Sequence, residues 1–184
     1  MEKQKAREVL RHAQEAEKIV CLYTSRDSEN FAAGFVEAVS ENHVILRSLT
    51  PHGRYDGWLL RVLENVCRID SGGRYEEKLV SLFRARDQNH PAFLPSTDEA
   101  TDLGSEMLIC AQRGDYAVRI DIGADDDNEG FVKSVEATTI TIERFDVNGH
   151  IDSESVIELE YIEKIAVDDE DLQDLKLLAH WRNL

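Results

Sequence analysis

The chain has 184 residues, 42% of them hydrophobic, so it can bury a core and is not a disordered polyelectrolyte. Its formal net charge of −16 is placed unevenly: residues 1–95 hold 14 basic and 14 acidic side chains, and residues 96–184 hold 7 and 23. That balance disfavours nucleic acid as a partner of the whole molecule, and no window approaches the roughly 18 apolar residues of a membrane helix.

In chain order, Ala6, Val9, Leu10 and Ala13 recur at helical spacing, and residues 19–24 alternate as a strand. Gly34-Phe-Val and Val39 then lead through a polar turn to Val44-Ile-Leu46. Pro51-His-Gly53 marks the next turn, and a further strand is expected near 56–62. Leu63-Glu-Asn-Val66 breaks the alternation as one 3₁₀ turn would, before a short strand at 67–70 and a helix at 75–86. Pro91 and Pro95 lie in a stretch expected to be a linker, 89–96. Ser96-Thr-Asp-Glu99 forms a capping-box pattern ahead of a second helix carrying Leu103, Met107, Leu108 and Ala111.

From there the order repeats. Shifted by 96 positions, residues 34–86 lie on 130–182 without a gap, and 12 of the 53 positions are identical. The identities include Gly34/Gly130, Phe35/Phe131, Val36/Val132, Gly53/Gly149, Leu63/Leu159 and Leu79/Leu175. They fall on glycines and on the apolar side of the alternation, where structure constrains sequence most. Glu8-Val-Leu-Arg-His-Ala-Gln and Glu106-Met-Leu-Ile-Cys-Ala-Gln continue the match at a shift of 98. The chain therefore divides into a first repeat, 1–88, the linker 89–96, and an acidic second repeat, 97–184.

Each repeat reads as helix, five short strands, helix. A 3₁₀ turn before the fifth strand, with a helix in front of the first, resembles the Sm-like variant of the SH3-like barrel. The expected fold is mainly β with helices: two tandem five-stranded Sm-like barrels, each with flanking helices. Gly34 and Gly130 fit the family's strand-two glycine. Its turn Asp and Asn are represented only by Asn42, and Cys67-Arg-Ile-Asp70 and Glu163-Lys-Ile-Ala166 stand where an Arg-Gly pair is usual. The resemblance implies association edge to edge, strand four on strand five. A covalent tandem could pair its own barrels that way and build a homo-oligomer, a dimer or a three-chain pseudo-hexamer.

The residues carrying chemistry are few. Asn42, His43, Arg61 and Arg68 are the candidate ligand-binding set: a turn amide and imidazole beside strand cations, in the repeat where basic and acidic charge balance. His52 and Tyr55 could add stacking if the ligand were RNA, although Glu64, Asp70, Glu76, Glu77 and Asp87 interleave as on an ordinary mixed surface. Asp125-Asp-Asp127-Asn-Glu129-Gly130, with Glu136 beyond, nearly matches an EF-hand loop, so Asp125, Asp127 and Glu129 are the candidate cation ligands. Strand-like flanks favour a solvated acidic loop instead. Cys21, Cys67 and Cys110 have apolar neighbours and read as buried, reduced thiols, hence a cytoplasmic chain; the charged start leads into no apolar run, so no signal peptide is expected. Trp58 and Trp181 are expected in the core or an interface. No catalytic triad, phosphate loop or cofactor motif is found, and the expected function is a non-enzymatic binding or scaffold module, with RNA binding by the first repeat or metal sensing by the acidic loop as alternatives.

Overall fold

The computed structural model describes residues 1–25, 31–95, 102–123 and 127–182. The chain forms two compact units, Met1–Leu103 and Gly104–Leu184. Among the described residues there are ten strands, all pairing antiparallel in the registers below, and four α-helices.

In the first unit, α1 (Lys3–Glu15) precedes β1 (Ile19–Tyr23), β2 (Phe31–Val39), β3 (His43–Leu49) and β4 (Tyr55–Val62). A 3₁₀ turn (Leu63–Asn65), β5 (Arg68–Ser71) and α2 (Arg74–Ala85) follow. The strand order is β5-β1-β2-β3-β4, and the sheet is open. Strand β1 is buried along its whole length because both of its faces are covered. Val20 and Leu22 join Leu10 and Ala13 of α1 with Val36, Val44, Leu46 and Leu63 in one core. Ile19, Cys21 and Tyr23 point the other way, onto Ala33, Leu49 and Leu79 of α2. The period of two thus feeds two cores, one under each helix.

The second unit repeats this plan: α3 (Leu103–Gly114, of which Leu103 closes the first unit), β6 (Ala117–Asp121), β7 (Asp127–Val135), β8 (Thr139–Phe145) and β9 (Ile151–Glu158). A second 3₁₀ turn (Leu159–Tyr161), β10 (Lys164–Val167) and α4 (Glu170–Arg182) complete it. Its order is β10-β6-β7-β8-β9.

The agreement extends to single hydrogen bonds. The β2–β3 register slips between Val36 and Ala38, and the β7–β8 register between Val132 and Ser134. A bulge bends its strand and leaves one residue outside the ladder. The carbonyls of the bulged residues, Glu37 and Lys133, accept from the side-chain amides of Gln14 and Gln112 on the preceding helices. One glutamine per unit therefore both satisfies the bulge and ties the helix to the bend. At Gly34 and Gly130 a Cβ would run into the backbone carbonyl of Arg47 or Glu143 on the next strand, so only glycine permits the close approach. Helix ends match as well. Lys18 N donates to Ala13 O at 2.9 Å and Tyr116 N to Ala111 O at 2.9 Å, with Glu17 and Asp115 in the left-handed region.

Residues 89–95 belong to the first compact unit. They pack on the first unit as a strap: His90 and Leu94 are buried, and Phe93 stacks on Trp58. The expectation that all three cysteines are core thiols is corrected. Cys21 is buried and Cys110 half-buried, but Cys67 is exposed at the loop entering β5, where its thiol donates toward the carbonyls of Tyr23 and Ser25. Trp181 is likewise exposed and no part of the core, because it lies on the outer stripe of α4. The capping-box pattern at 96–99 lies outside the described residues.

Candidate functional site

The β2–β3 turn gathers part of the predicted set. The Ser40 side chain accepts from the amides of Asn42 and His43, and the Asn42 carbonyl accepts from Leu63 N at 2.8 Å, which fixes the turn against the 3₁₀ helix. His43 pairs with Val62 and Val44 with Arg61 across β3 and β4, so Arg61 lies beside the turn. Lys3 donates to Asn42 Oδ1 at 2.8 Å. His43 is half-buried; burial lowers its pKa, Lys3 adds to that, and Asp102, 3.9 Å away, opposes it. A mostly neutral imidazole here offers one donor and one acceptor and no fixed charge.

Arg68 belongs elsewhere. It stands at the start of β5 opposite Tyr23, gives a two-pronged ion pair to Asp70 and lies 4.5 Å over the Tyr23 ring. The hydrogen bond from Arg68 also holds the Asp70 carboxyl below its usual range. The guanidinium is thus committed to its own strand and a neighbouring ring.

Of the acidic loop, Asp125 lies outside the described residues and Asp127 opens β7 opposite Asp121. Glu129 is committed to Arg119, which also binds Asp169 at 2.8 Å and approaches Asp171 at 3.6 Å. Burial works against the Arg119 charge, but these three carboxylates outweigh it and raise its pKa. Among the described residues, no three His, Cys, Asp or Glu side chains gather as metal ligands would.

A cleft of about 980 Å³ in the first unit was not anticipated from the sequence. Phe35, Ile19 and Arg47 form its floor, Glu76, Val80, Phe83 and Arg84 of α2 one wall, and Asn89 and His90 of the strap another. Arg47 lies 5.3 Å over the Phe35 ring and donates to the His90 carbonyl at 3.4 Å. His90 Nε2 faces the Gly57 carbonyl at 2.8 Å, and burial pushes its pKa down to about 4. Behind it, the strap amides of Phe93 and Leu94 donate to Glu37 Oε1 at 2.6 and 2.9 Å. Burial still raises the Glu37 pKa, against those amides and Arg47. The signal for this arrangement was present: a linker containing His90, Phe93 and Leu94 is too apolar to stay in water. Its partner, Glu37, sits 56 residues from Phe93, a distance no local pattern spans.

Cys21, the buried thiol nearest the cleft, is pushed far up by burial and by Glu76, so it stays protonated. No family model matches the chain, and no curated protein or solved structure matches it either.

Proposed function

We propose that this protein is a non-enzymatic scaffold of two tandem Sm-like barrels that self-associates through its sheet edges. The observation that carries the reading is the pair of repeated units, each with a capping helix, a bulged second strand, a 3₁₀ turn before the fifth strand and an open strand order. Bulge and 3₁₀ turn are the devices that curl a short sheet toward a barrel. Open edges are paired or protected in stable proteins. In the second unit the terminal strand β9 is exposed along most of its length. Its Asp152, Glu154 and Glu158 discourage pairing with another β9. The first unit ends on β5, where Arg68 and Asp70 alternate. The contact in this reading is β9 of one copy on β5 of the next, a head-to-tail geometry that builds a ring where its rotation closes and a filament where it does not. Supporting a non-enzymatic role, the buried titratable groups serve structure: Glu37 and His90 hold the strap, and Cys21 stays a neutral thiol.

Light scattering over a concentration series tests this. A mass at a multiple of 20.9 kDa is expected. The double variant Ile151→Lys, Val156→Lys changes only exposed side chains of β9 and should return the mass to that of one chain. A wild-type mass of one chain at every concentration would remove the reading. Absorbance at 260 and 280 nm after purification at low salt tests the RNA alternative, which requires a nucleic-acid-rich ratio that a high-salt wash abolishes.

A further inference from the structure

Helix α4 carries two apolar stripes. Leu172, Leu175 and Ala179 are buried in the second unit. Leu177, Leu178 and Trp181, spaced as neighbours on a helix surface, face solvent, and Trp181 is 71% exposed. The β8–β9 turn extends the patch. Gly149 packs against Leu178 and Ala179, Arg182 Nε donates to the Asn148 carbonyl at 2.8 Å, and Val147 between them is 83% exposed. The first unit is an internal control. At the equivalent places it has Ser81, Leu82, Ala85 and Pro51, and its Leu82 is half-buried. The acidic repeat keeps the leucine and has Leu177, Trp181 and Val147 where the first has Ser81, Ala85 and Pro51, and a helix apolar on two faces is built to be covered on both.

We infer that the Leu177–Leu178–Trp181 stripe with Val147 is a docking surface for a basic amphipathic helix of a partner protein. Side chains four apart form a ridge that another helix's groove receives. Charge selects the occupant. Residues 96–184 carry the full net charge of −16, so a second copy of this face is repelled and a cationic segment is attracted. The cations nearest the stripe are already engaged in their own unit: Lys176 and His180 with Asp115, and Arg182 with Asn148. Exposed Asp174, one turn before Leu177 and Leu178 on the same face, is placed to receive an incoming Lys or Arg.

The inference stands apart from edge association, because the β9 variant leaves the stripe intact. The probe is a synthetic Leu/Lys helix of about 18 residues, five turns, with leucines on one face, read by tryptophan emission. Trp58 is 2% exposed and already emits as a buried indole, so a blue shift reports Trp181. The amphipathic peptide should shift the emission and weaken with added salt. A peptide of the same composition in scrambled order, and the variant Leu177→Ser, Leu178→Ser, should each lose about tenfold in affinity. Equal affinity for the scrambled peptide, or undiminished binding by the variant with Trp58 emission unchanged, would overturn the proposal. So would a blue shift and doubled mass on concentrating the protein alone, which would give the stripe to a second copy.

Discussion

Beneath their second helices the two units carry opposite chemistries on the same frame. In the first, Tyr23, Phe31 and Tyr75 form a chain of ring contacts at 5.1 and 5.4 Å over Cys21 and Ala33. At the aligned sequence positions the second unit has Asp121, Asp127 and Asp171 in place of Tyr23, Phe31 and Tyr75, and Arg119 and Glu129 in place of Cys21 and Ala33. Three aromatics have become three aspartates, and a small apolar pair has become an ion pair. The strand pairings, the bulge and the turns are unchanged. The fold is therefore specified by the inner core, the glycines and the bulge, while the outer face can change its chemistry. The helix starts show the same exchange. In α2 the Glu76 side chain accepts from Gly73 N at 2.9 Å, and in α4 the Asp169 side chain accepts from Leu172 N at 2.9 Å. Each unit keeps one complementary half of a capping box.

Trp58 is buried, so its fluorescence reports urea unfolding of the first unit, while backbone circular dichroism follows both units. The largest expected effect tests the shared frame. Gly34→Ala and Gly130→Ala should each cost about 3–4 kcal/mol in its own unit, since a Cβ meets backbone that cannot move aside. A small loss at either position would mean that the strands do not approach so closely there.

Next in size is the substituted face. Arg119→Cys should cost about 2–3 kcal/mol in the second unit by leaving half-buried Glu129 and Asp169 without their cation. Adding Glu129→Ala, which rebuilds the first unit's pair, should recover about half. Failure to recover would show that the ion pair is part of the frame and no replaceable filling.

The third test is pH. His90 has its folded pKa lowered to about 4, below the ordinary 6.5, so its contribution is present above pH 6.5 and lost as pH falls toward 4. Glu37, raised by burial, acts in the opposite sense and stabilises as it gains its proton. His90→Gln should remove the histidine loss, worth about 3 kcal/mol, and leave the first unit more acid-stable than wild type. Acid stability unchanged by the substitution would show that His90 does not control strap docking. In the second unit Asp146 is held near 2 by the His150 and Asn148 amides, so its contribution survives to lower pH.

The smallest effect is at the bulges. Gln14→Ala and Gln112→Ala should each cost about 1 kcal/mol, the net value of one hydrogen bond. Equal losses would show that both units rely on the same tie, and unequal losses that one bend holds without it.

Much of the frame was legible in the sequence because it is local. Gly34 and Gly130, the alternation in Val44-Ile-Leu46 and Thr139-Ile-Thr-Ile142, and the spacing of Leu63 and Val66 each specify an element within a few residues. The residues between strands were harder to read. Pro91 and Pro95 resemble a linker until Glu37 is known to lie beneath them. Of the candidate set, Asn42, His43 and Arg61 come together because a hairpin joins them. Arg68 separates because the strand that carries it crosses to Tyr23. Glu129 looked available to a cation only while its cross-strand neighbour, Arg119, was unknown.

The strap also bears on synthesis. The first unit's buried carboxylate receives its two amides only when Phe93 and Leu94 have been made, well after α2 ends at Ala85. At about 5–20 residues per second, residues 86–95 take on the order of a second to add. Until those residues are present the chain can complete neither the amide pair on Glu37 nor the cover over Trp58. A fragment cut at residue 88 would remain in that unfinished state, and one cut after residue 95 would not.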